Sequence, residues 1–385
     1  MKHLKKSEKK NFVTLFAKIL FIIEAIVLPA ILIYMAITQL FPLKYLLLLL
    51  FLTISIIVFH VSMLLMKSKN LATKIISLVL SVIVLLISSV GTVVLGTIHT
   101  SISKIPDSEV EIEAVKTNVV KKPFLIYLSG VDTRGGGEIR DKALSDVNMV
   151  IAVNPNTAKI LMINIPRDYY LPLEGDSAKM DKLTHAGTKG VSCSMKTLGA
   201  LFGVEFNYYV KVNFESVVDI VDALGGVTVV SEYNFSSRFS LTEDKVYNYV
   251  KGENKLNGLS ALAFARERKN VPGGDRTRGK HQQLIIKAII NKAISPSNLT
   301  PSKISKLVDC VTAHTSTNIS YGEISDLVKL QLDKMPSWDI QTISVDGTGA
   351  TKPTYVTGGL KAYVMMPNEE SVQEAKLQLR ACLQN

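Results

Sequence analysis

Cysteine is scarce in this sequence of 385 residues, which contains only Cys193, Cys310 and Cys382. Three scattered cysteines do not describe a disulfide scaffold, although one bridge between Cys310 and Cys382 is an alternative to three free thiols. No Cys/His spacing is that of a zinc site. The chain also lacks the GKS or GKT ending of a P-loop, the spacing of a Rossmann fingerprint and a Ser-x-Gly elbow. These absences argue against a zinc protein, a nucleotide-binding protein and an elbow-type hydrolase.

Formal charges are missing from two long segments near the amino terminus. Residues 45–66 and 75–98 are apolar and uncharged when His60 is neutral, and each exceeds the ~20 residues that cross ~30 Å of hydrocarbon. A first apolar segment, residues 19–40, contains Glu24. A cleaved signal peptide is a competing interpretation of this segment, but two further spans follow it at once. The sequence therefore predicts a membrane anchor with three transmembrane helices.

Glu24 is the unusual residue of the first predicted span. It lies within two turns of the predicted cytoplasmic end, so its carboxylate can reach the membrane interface. The alternative is a carboxylate buried within the membrane beside a partner, which often marks a functional group. The sequence leaves both interpretations open.

Lysines in the short loops predict the orientation of the anchor. The tail MKHLKKSEKK has five lysines and the loop KSKNLATK has three, whereas the loop after the first span has only Lys44. We therefore expect residues 1–18 to form a cytoplasmic tail and residues 19–98 to form the anchor. Residues 99–122 are then an extracellular stalk, and residues 123–385 an extracellular domain.

The basic charge of the chain is concentrated at the membrane end. The formal net charge is +11, and ten basic against two acidic residues give +8 in residues 1–74 alone. Most of the charge therefore reflects topology rather than a nucleic-acid footprint. A single-stranded nucleic-acid site would also place aromatic residues among the cations, but the most basic stretch, residues 261–283, has only Phe264. We expect no nucleic-acid partner.

The outer domain alternates strand-like and helix-like segments. Strands are predicted over FLIYLSGV, over NYYVKVNF, and over two runs joined by an Asn-Pro-Asn-Thr turn, MVIAVN and KILMIN. Helices are predicted over QLIIKAIINKAI and over ESVVDIVDA, which ends near paired glycines. This alternation predicts an α/β fold, an α-β-α sandwich with a sheet covered on both faces.

Charged residues fall at the ends of several predicted strands. Asp132 follows the first strand, Asp146 precedes the second, and Arg167 with Asp168 follows the third. Ligands of open α/β sheets gather outside strand ends, which makes these residues candidates for a site. His185, in DKLTHAG, is either catalytic or a structural polar contact.

Residues 261–283 concentrate six cations, four of them arginines, around a Pro-Gly-Gly turn. Arg266 and Arg268 would lie on one side of an extended segment, so we expect the helix before them to end there. After the turn, Asp275 is predicted to cap a new helix. Asp275, Arg278 and Gln282 would then share one helix face.

Arginine is the residue type that suits phosphate. Its planar fork binds two phosphate oxygens at once through charge-assisted hydrogen bonds. Asp132 and Asp146 could hold Mg²⁺ that bridges the phosphates. These patterns predict a phosphate or diphosphate site, and the alternative is a surface loop of solvated charges.

Eight motifs in order carry a resemblance to a known family. They are FLIYLSGVDT, SDVNMVIAVN, IPRDYY, DKLTHAG, FGVEFNYYVKVNFES, VDALGGVTV, LNGLSALAFARER and GGDRTRGKHQQ. Over roughly residues 122–295 the chain resembles the LytR-CpsA-Psr (LCP) family of cell-envelope proteins, and within it the CpsA-like capsule branch.

The resemblance implies a transferase in the membrane of a Gram-positive bacterium. It would move a capsule- or teichoic-acid-like glycopolymer, as a sugar phosphate, from undecaprenyl diphosphate to the C6 hydroxyl of N-acetylmuramic acid in peptidoglycan. Capsule-synthesis machinery is an implied partner. Two other functions stay open: a non-enzymatic prenyl-phosphate binder that regulates polymer synthesis, and a lipid-diphosphate hydrolase.

The resemblance also implies roles for the site residues. Asp132 and Asp146 would hold Mg²⁺, and Asp132, Asp146 and Arg167 would be catalytic, with Asp132 the first choice of base. An apolar tunnel between sheet and helices would take the prenyl chain. The chain departs from the family at Leu144, where arginine is usual, and Arg140 could replace that contact. The implied diphosphate clamp comprises Arg167, Arg266, Arg268 and Arg278, with Asp275 and Gln282 beside it.

Overall fold

A computed structural model describes most of the chain. The described residues are 2–38, 41–65, 71–103, 116–132, 142–175, 178–239, 245–299, 301–313 and 315–384. They divide into two compact units, one of residues 1–100 with 328–334 and one of residues 101–327 with 335–385.

Eleven α-helices lie in the described residues. The first three are apolar and long enough to cross a membrane. The helices are α1 (Lys2–Thr38), α2 (Leu43–Leu65), α3 (Leu71–Ser103), α4 (Leu183–Ala186), α5 (Val191–Phe202), α6 (Phe214–Ala223), α7 (Gly258–Arg266), α8 (Asp275–Ala293), α9 (Pro301–Ala313), α10 (Tyr321–Lys334) and α11 (Glu369–Leu383).

Fourteen strands lie in the same residues, all of them in the second unit. They are β1 (Phe124–Val131), β2 (Ser145–Asn154), β3 (Lys159–Asn164), β4 (Tyr170–Leu173), β5 (Lys179–Lys182), β6 (Tyr208–Asn213), β7 (Val227–Ser231), β8 (Phe235–Phe239), β9 (Lys245–Tyr249), β10 (Gly252–Leu256), β11 (Thr315–Thr317), β12 (Asp339–Ser344), β13 (Gly347–Pro353) and β14 (Lys361–Pro367).

The helices of the first unit extend beyond the predicted spans. The backbone of the predicted tail is helical from Lys2 onward, and α3 continues past residue 98 to Ser103. The continuation of α3 has a local cause, because the hydroxyls of Thr97 and Thr100 donate to the carbonyls of Val93 and Gly96 within the helix. Polar residues of this kind do not end a helix, so the helix is longer than its apolar run, and the predicted bounds of the span stay a prediction.

Glu24 does not reach the surface of the first unit. Its side chain is fully buried, and Oε2 lies 2.7 Å from Nδ1 of His60 on α2. The prediction that this carboxylate reaches the interface is therefore wrong, and the alternative of a buried partner is correct. The sequence signal for the partner was the lone His60 in an otherwise apolar span.

A six-stranded mixed sheet organises the second unit, in the order β11-β6-β1-β2-β3-β12. Strand β1 runs parallel to β6 and antiparallel to β2, and β3 runs antiparallel to β2 and parallel to β12. The turn between β2 and β3 is the predicted Asn-Pro-Asn-Thr segment. Strand β7 pairs with β10 outside this sheet.

Helices cover both faces of the sheet, which confirms the predicted α-β-α sandwich. On one face, residues of α5 and α11 such as Leu198 and Leu379 pack against Tyr127 and Val150. On the other face, Phe214 of α6 and Ile286 and Ile290 of α8 pack against sheet residues that include Met149 and Met162. Both layers are apolar, because successive strand residues point to opposite faces.

The topology brings five strand ends to one edge of the sheet. Because β1 and β6 are parallel, and β3 and β12 are parallel, their carboxyl ends lie at this edge with the start of the antiparallel β2. The predicted residues Asp132, Asp146 and Arg167 adjoin three of these ends. Gln283 of α8 fixes that helix on the sheet, because its Nε2 donates to the carbonyls of Met162 and Ile343.

The start of α7 depends on a close approach to α6. A Cβ added at Gly258 would lie 2.4 Å from the carbonyl oxygen of Val218, and the Gly258 N–H donates to Asp222 Oδ1 at 2.7 Å. Gly258→Ala is therefore expected to lower the free energy of unfolding by about 1–3 kcal/mol through overpacking. Denaturant unfolding of the full chain measures the change.

Gly322→Ala is the matched control for this substitution. Gly322 also lies in the first turn of a helix, but a Cβ there meets nothing within 4 Å. Alanine at this position is expected to be neutral or stabilising by up to ~1 kcal/mol. Equal effects of the two substitutions would contradict the close helix packing at Gly258.

Candidate functional site

Arg167 and Asp146 form a close ion pair at the sheet edge. Strand β3 ends at Asn164, and Ile165 and Pro166 lead the chain to Arg167, whose Nη1 donates to Asp146 Oδ1 at 2.6 Å. Burial acts to lower the pKa of Arg167, but this hydrogen bond and the charges of Asp146, Asp168 and Asp275 together outweigh it and the pKa is raised. The contact pairs the guanidinium group with a carboxylate directly at the strand ends.

A second feature of Arg167 is an unused donor. Its Nε is buried and has no hydrogen-bond partner among the residues that the structure describes. The nearest carboxylate oxygen, Asp168 Oδ2, is 3.8 Å away, which is too far for a hydrogen bond. A buried donor without an acceptor is costly, so this N–H suits an acceptor that the described residues do not supply.

A buried polar network holds Asp146 in place. The register of β1 and β2 shifts beside Asp146, since Gly130 faces Val147 and Val131 faces Ser145. The adjacent Ser145 hydroxyl donates to Asn148 Oδ1 at 2.9 Å, and the Tyr127 hydroxyl donates to the same oxygen at 2.6 Å. Burial raises the pKa of Tyr127, so it remains a donor. A strand irregularity of this kind re-aims a side chain.

Arg266 and Asp132 form a second pair. Arg266 is the last residue of α7, and its Nη2 lies 3.3 Å from Asp132 Oδ2. The guanidinium also stacks over the ring of Phe214, 4.5 Å from its centroid, a favourable cation–π geometry. Next to Phe214, the Nδ2 of Asn213 is a further buried donor without a partner among the described residues.

Glu267 organises the chain between Arg266 and Arg268. The helix ends there in extended backbone, as predicted (φ −67°, ψ 130°). Glu267 Oε1 accepts hydrogen bonds from the backbone N–H groups of Arg268, Lys269 and Asn270 at 2.7–3.0 Å. Burial acts to raise the pKa of Glu267, but these and other hydrogen bonds lower it below its ordinary range. The pattern of arginines in the sequence gave no sign of this carboxylate's role.

The start of α8 differs from the prediction. The N-cap is Gly274 (φ 54°, ψ −114°), and no side-chain hydrogen bond caps the helix. Asp275 instead is the first helical residue, and its Oδ1 lies 2.6 Å from Arg278 Nη2. The capping prediction is wrong because only glycine readily adopts the positive φ needed at the cap, and because the carboxylate is engaged by Arg278. The predicted shared face of Asp275, Arg278 and Gln282 is present.

The electrostatics join these elements into one cluster. Burial lowers the pKa of Arg278, and repulsion from Arg167 and Arg268 adds to this, while Asp275 and Asp146 oppose it. These arginines are therefore close enough to repel one another. Their charge is only partly balanced by the carboxylates, which is the electrostatic signature of an anion site.

A cavity of about 390 Å³ opens between β3, β12 and the start of α8. Its lining does not include Asp132, Arg266 or Arg268, which lie at the adjoining end of β1 and α7. Five predicted site residues line it together with residues that the sequence did not single out. The lining includes Asp146, Asn164, Arg167, Asp275, Arg276, Arg278, Gln282 and Asp346.

Asp346 lines the cavity but was not among the predicted site residues, although the sequence contained a signal for it. It follows the end of β12, and its Oδ1 lies 2.8 Å from Nη2 of Arg276. Its setting, a strand of alternating polar and apolar residues followed by Val-Asp-Gly, obeys the strand-end rule that selected Asp132. The last 90 residues carry no recognisable chemical motif, which hid this strand end.

The two predicted metal ligands fit a metal only with additional donors. Among the described residues, no group of three or more His, Cys, Asp or Glu side chains could hold an ion. Asp132 and Asp146 offer hard carboxylate oxygens, and Mg²⁺ commonly combines one or two carboxylates with phosphate oxygens. The pair is therefore suited to an ion that arrives with a phosphorylated ligand.

The remaining candidate residues have simpler settings. His185 Nδ1 lies 2.6 Å from Asp181 Oδ1, and Asp181 is buried and also accepts from the Val356 N–H, which favours a structural role. All three cysteines are free thiols. Leu144 is exposed, and Arg140 lies outside the described residues.

Fold and site together define an α/β protein with an arginine-rich cavity at a sheet edge and three helices apolar enough to anchor it in a membrane. The sequence model of the LytR_cpsA_psr family matches residues 92–380, and the chain belongs to this family. The family resemblance is thereby confirmed.

Curated relatives agree with the prediction of an enzyme. The chain is 37% identical over 233 residues to TagU of Bacillus licheniformis, named a polyisoprenyl-teichoic acid–peptidoglycan teichoic acid transferase, over 60% of this chain and 70% of that protein. It is 32% identical over 276 residues to the transferase of the same name from Oceanobacillus iheyensis, over 70% of this chain and 81% of that protein. Both names refer to teichoic acid, so assignment to the capsule branch stays a prediction.

Solved structures share the fold. The crystal structure of B. subtilis TagV has a TM-score of 0.55 and 28% identity, covering 68% of this chain and 98% of that chain. A structure of TagT with bound octaprenyl pyrophosphate lipid has a TM-score of 0.50 and 25% identity, covering 70% of this chain and 93% of that chain.

Removing the Glu267 carboxylate tests how the arginine segment is held. In Glu267→Ala the backbone N–H groups of residues 268–270 lose their acceptor, so their hydrogen exchange should accelerate at least about tenfold. Glu267→Gln keeps one acceptor oxygen and should show a smaller change. Glu253→Ala, at an exposed position on β10, is the control. Unchanged exchange in Glu267→Ala would contradict the positioning role.

His281 makes stability sensitive to acid. Its ring stacks on Phe235 and packs against Phe264, and burial lowers its pKa from 6.5 to about 4. The unfolded chain therefore binds a proton more readily, and stability is lost as the pH falls from about 6.5 to about 4. The loss is at most about 3 kcal/mol. Denaturant unfolding of His281→Phe should show a smaller loss over this range, and an unchanged slope would contradict the assignment.

Proposed function

We propose that this protein transfers a glycopolymer from a polyprenyl diphosphate carrier to peptidoglycan at the edge of its six-stranded sheet. The observation that carries the proposal is the partly neutralised arginine cluster around the cavity, with Arg167 Nε as a buried donor that lacks an acceptor among the described residues. A diphosphate supplies oxygens to such donors. The names of the relatives, which refer to polyisoprenyl-teichoic acid and peptidoglycan, support the same substrates.

Paired charges prepare the site for this ligand. In the described structure Arg167 and Arg278 bind Asp146 and Asp275, both at 2.6 Å. Phosphate oxygens that bind these guanidinium groups compete with the carboxylates. A released carboxylate then lies beside the phosphates, where it can hold a cation or accept a proton. Arg266 and Arg268 would bind the ligand from the α7 side.

The reaction would be a phosphoryl transfer achieved by positioning and charge neutralisation. The acceptor hydroxyl oxygen, in our proposal the C6 hydroxyl of N-acetylmuramic acid, bonds to the phosphorus that carries the glycan. The bond between that phosphorus and the bridging oxygen breaks, and polyprenyl monophosphate leaves with the electron pair. Asp132 accepts the hydroxyl proton, and the arginines stabilise charge on both phosphates.

Asp132 and Asp146 would also be the protein ligands of Mg²⁺. When bound, the ion would neutralise phosphate charge and help the leaving phosphate depart. Asp146, next to Arg167, lies on the cavity side, and Asp132, next to Arg266, lies on the α7 side.

The apolar layer beside the site is the proposed location of the prenyl chain. Residues of α6 and α8, including Phe214, Ile286 and Ile290, face Met149 and Met162 of the sheet. TagT was solved with a bound octaprenyl pyrophosphate lipid, which supports a prenyl ligand. The three apolar helices would keep the protein in the membrane where such a carrier resides, with the amino terminus cytoplasmic and the second unit outside.

The glycan can be capsule-like or teichoic-acid-like, and capsule-synthesis proteins are partners in the first case. A regulator that binds the carrier without turnover would use the same arginines, and a hydrolase would use water as acceptor. Transfer is favoured because both curated relatives described above are named as transferases.

Asp146→Ala separates catalysis from binding. We expect the full chain with this substitution to retain polyprenyl diphosphate and to lose glycan transfer by at least about a hundredfold, since charge neutralisation at the phosphate is lost. Lipid retention and the joined product are measured by mass spectrometry. Asp339→Ala is the matched control, because Asp339 starts β12 at the opposite edge of the sheet.

Arg266→Ala/Arg268→Ala completes the test. This variant should lose lipid and transfer together, whereas Arg380→Ala, on α11, should lose neither. Wild-type transfer by Asp146→Ala would contradict the role of that aspartate. Lipid binding without product in the wild type, across several donors, would favour the regulator, and release of glycan phosphate to water would favour the hydrolase.

A further inference from the structure

The membrane anchor contains a titratable pair that the proposed transfer does not use. Glu24 of α1 is fully buried and His60 of α2 is 1% exposed. Glu24 Oε2 lies 2.7 Å from His60 Nδ1, and His60 Nε2 lies 3.5 Å from the hydroxyl of Ser81 on α3. One polar cluster therefore draws on all three apolar helices.

Glu24 lies deep within the first apolar segment, and His60 lies three residues before Met63, where the second candidate span ends. Glu24 is ten residues from Thr14, where the first candidate span begins, a distance of about 15 Å along a helix. The other titratable groups of the three spans lie nearer the span ends than Glu24 does. They are Lys18, Tyr34, Lys44, Tyr45 and Lys74.

The buried residues of α1 show that this position faces other protein. Ala17, Glu24, Leu28 and Met35 are all less than 9% exposed, and their spacing of seven, four and seven residues is that of a helix-packing seam. On α2, the buried Thr53 and His60 are also seven residues apart. Glu24 therefore occupies a packing position rather than a lipid-facing one.

The pair is not completed by hydrogen bonds from the protein. Apart from the 2.7 Å contact between Oε2 and Nδ1, neither oxygen of Glu24 nor Nδ1 of His60 has a hydrogen-bond partner among the residues that the structure describes. A charged carboxylate in such a place would lack both water and donors, which is very unfavourable. A proton held between the carboxylate and the imidazole removes the net charge.

We propose that Glu24 and His60 form a proton-binding site inside the anchor, with one proton shared between Oε2 and Nδ1. The pair is electrically neutral and joins α1 to α2, and the Ser81 hydroxyl adds α3. The site is independent of the transfer site in the second unit. Its ligand is the proton itself, and its consequence is an anchor that folds as a specific bundle rather than as three independent spans.

Infrared spectroscopy of the full chain in lipid nanodiscs tests the site. The difference between wild type and Glu24→Gln isolates the carboxyl band of Glu24. We expect this band not to follow the bulk pH through neutrality, because the site excludes water. In His60→Leu the carboxyl group loses the base that shares its proton, so the band should shift to that of an unshared carboxylic acid.

Two control variants make each outcome decisive. Glu24→Leu/His60→Leu leaves no unpaired polar group, and it should fold as the wild type and supply the baseline. Ser55→Ala removes an exposed hydroxyl on α2 that bonds to the carbonyl of Phe51, and it should leave the Glu24 band unchanged. A wild-type band that follows the bulk pH like a glutamate in water would overturn the proposal, and so would a band that is insensitive to the loss of His60.

Discussion

Mutual neutralisation of arginines and carboxylates at one sheet edge is the interaction on which the second unit depends. Four guanidinium groups, those of Arg167, Arg266, Arg276 and Arg278, each contact a carboxylate within 3.3 Å. Burial is the main cause of the lowered pKa of Arg278, and repulsion from Arg167 and Arg268 adds to it. The pairs balance these cations, and in the proposed function a more highly charged anion competes for the arginines.

The sheet topology is what makes this concentration of charge possible. The parallel pairs β1–β6 and β3–β12 bring the ends of distant segments to one edge, and the antiparallel β2 begins there. Two apolar layers fix the helices on the sheet, and Gln283 bonds to the backbone of both β3 and β12. This packing fixes the positions of the arginines although they repel one another. An isolated loop could not hold them in one geometry.

The sequence predicted this arrangement where the signal was local. The apolar runs before Asp132 and Arg167 predicted two strands and the positions where they end. The spacing of Arg266 and Arg268 predicted extended backbone between them. The predictions from sequence failed where contacts between different elements determine the structure. The cap at Gly274 depends on the contact between Asp275 and Arg278 and on the positive φ of the glycine, whereas Asp346 followed the strand-end rule in a region without a recognisable motif. Glu24 contacts His60, which is 36 residues away in the sequence. Hydropathy alone could not show that packing of the two helices would bury this carboxylate.

The most direct test is the structure of the full chain with a short-chain polyprenyl diphosphate. We expect diphosphate oxygens within hydrogen-bond distance of Arg278 and of Arg167, including its Nε, with the Arg167–Asp146 contact opened from 2.6 Å. The prenyl chain should lie between the sheet and α8. A head group bound elsewhere, with that ion pair intact, would contradict the central claim that the paired charges are the diphosphate site.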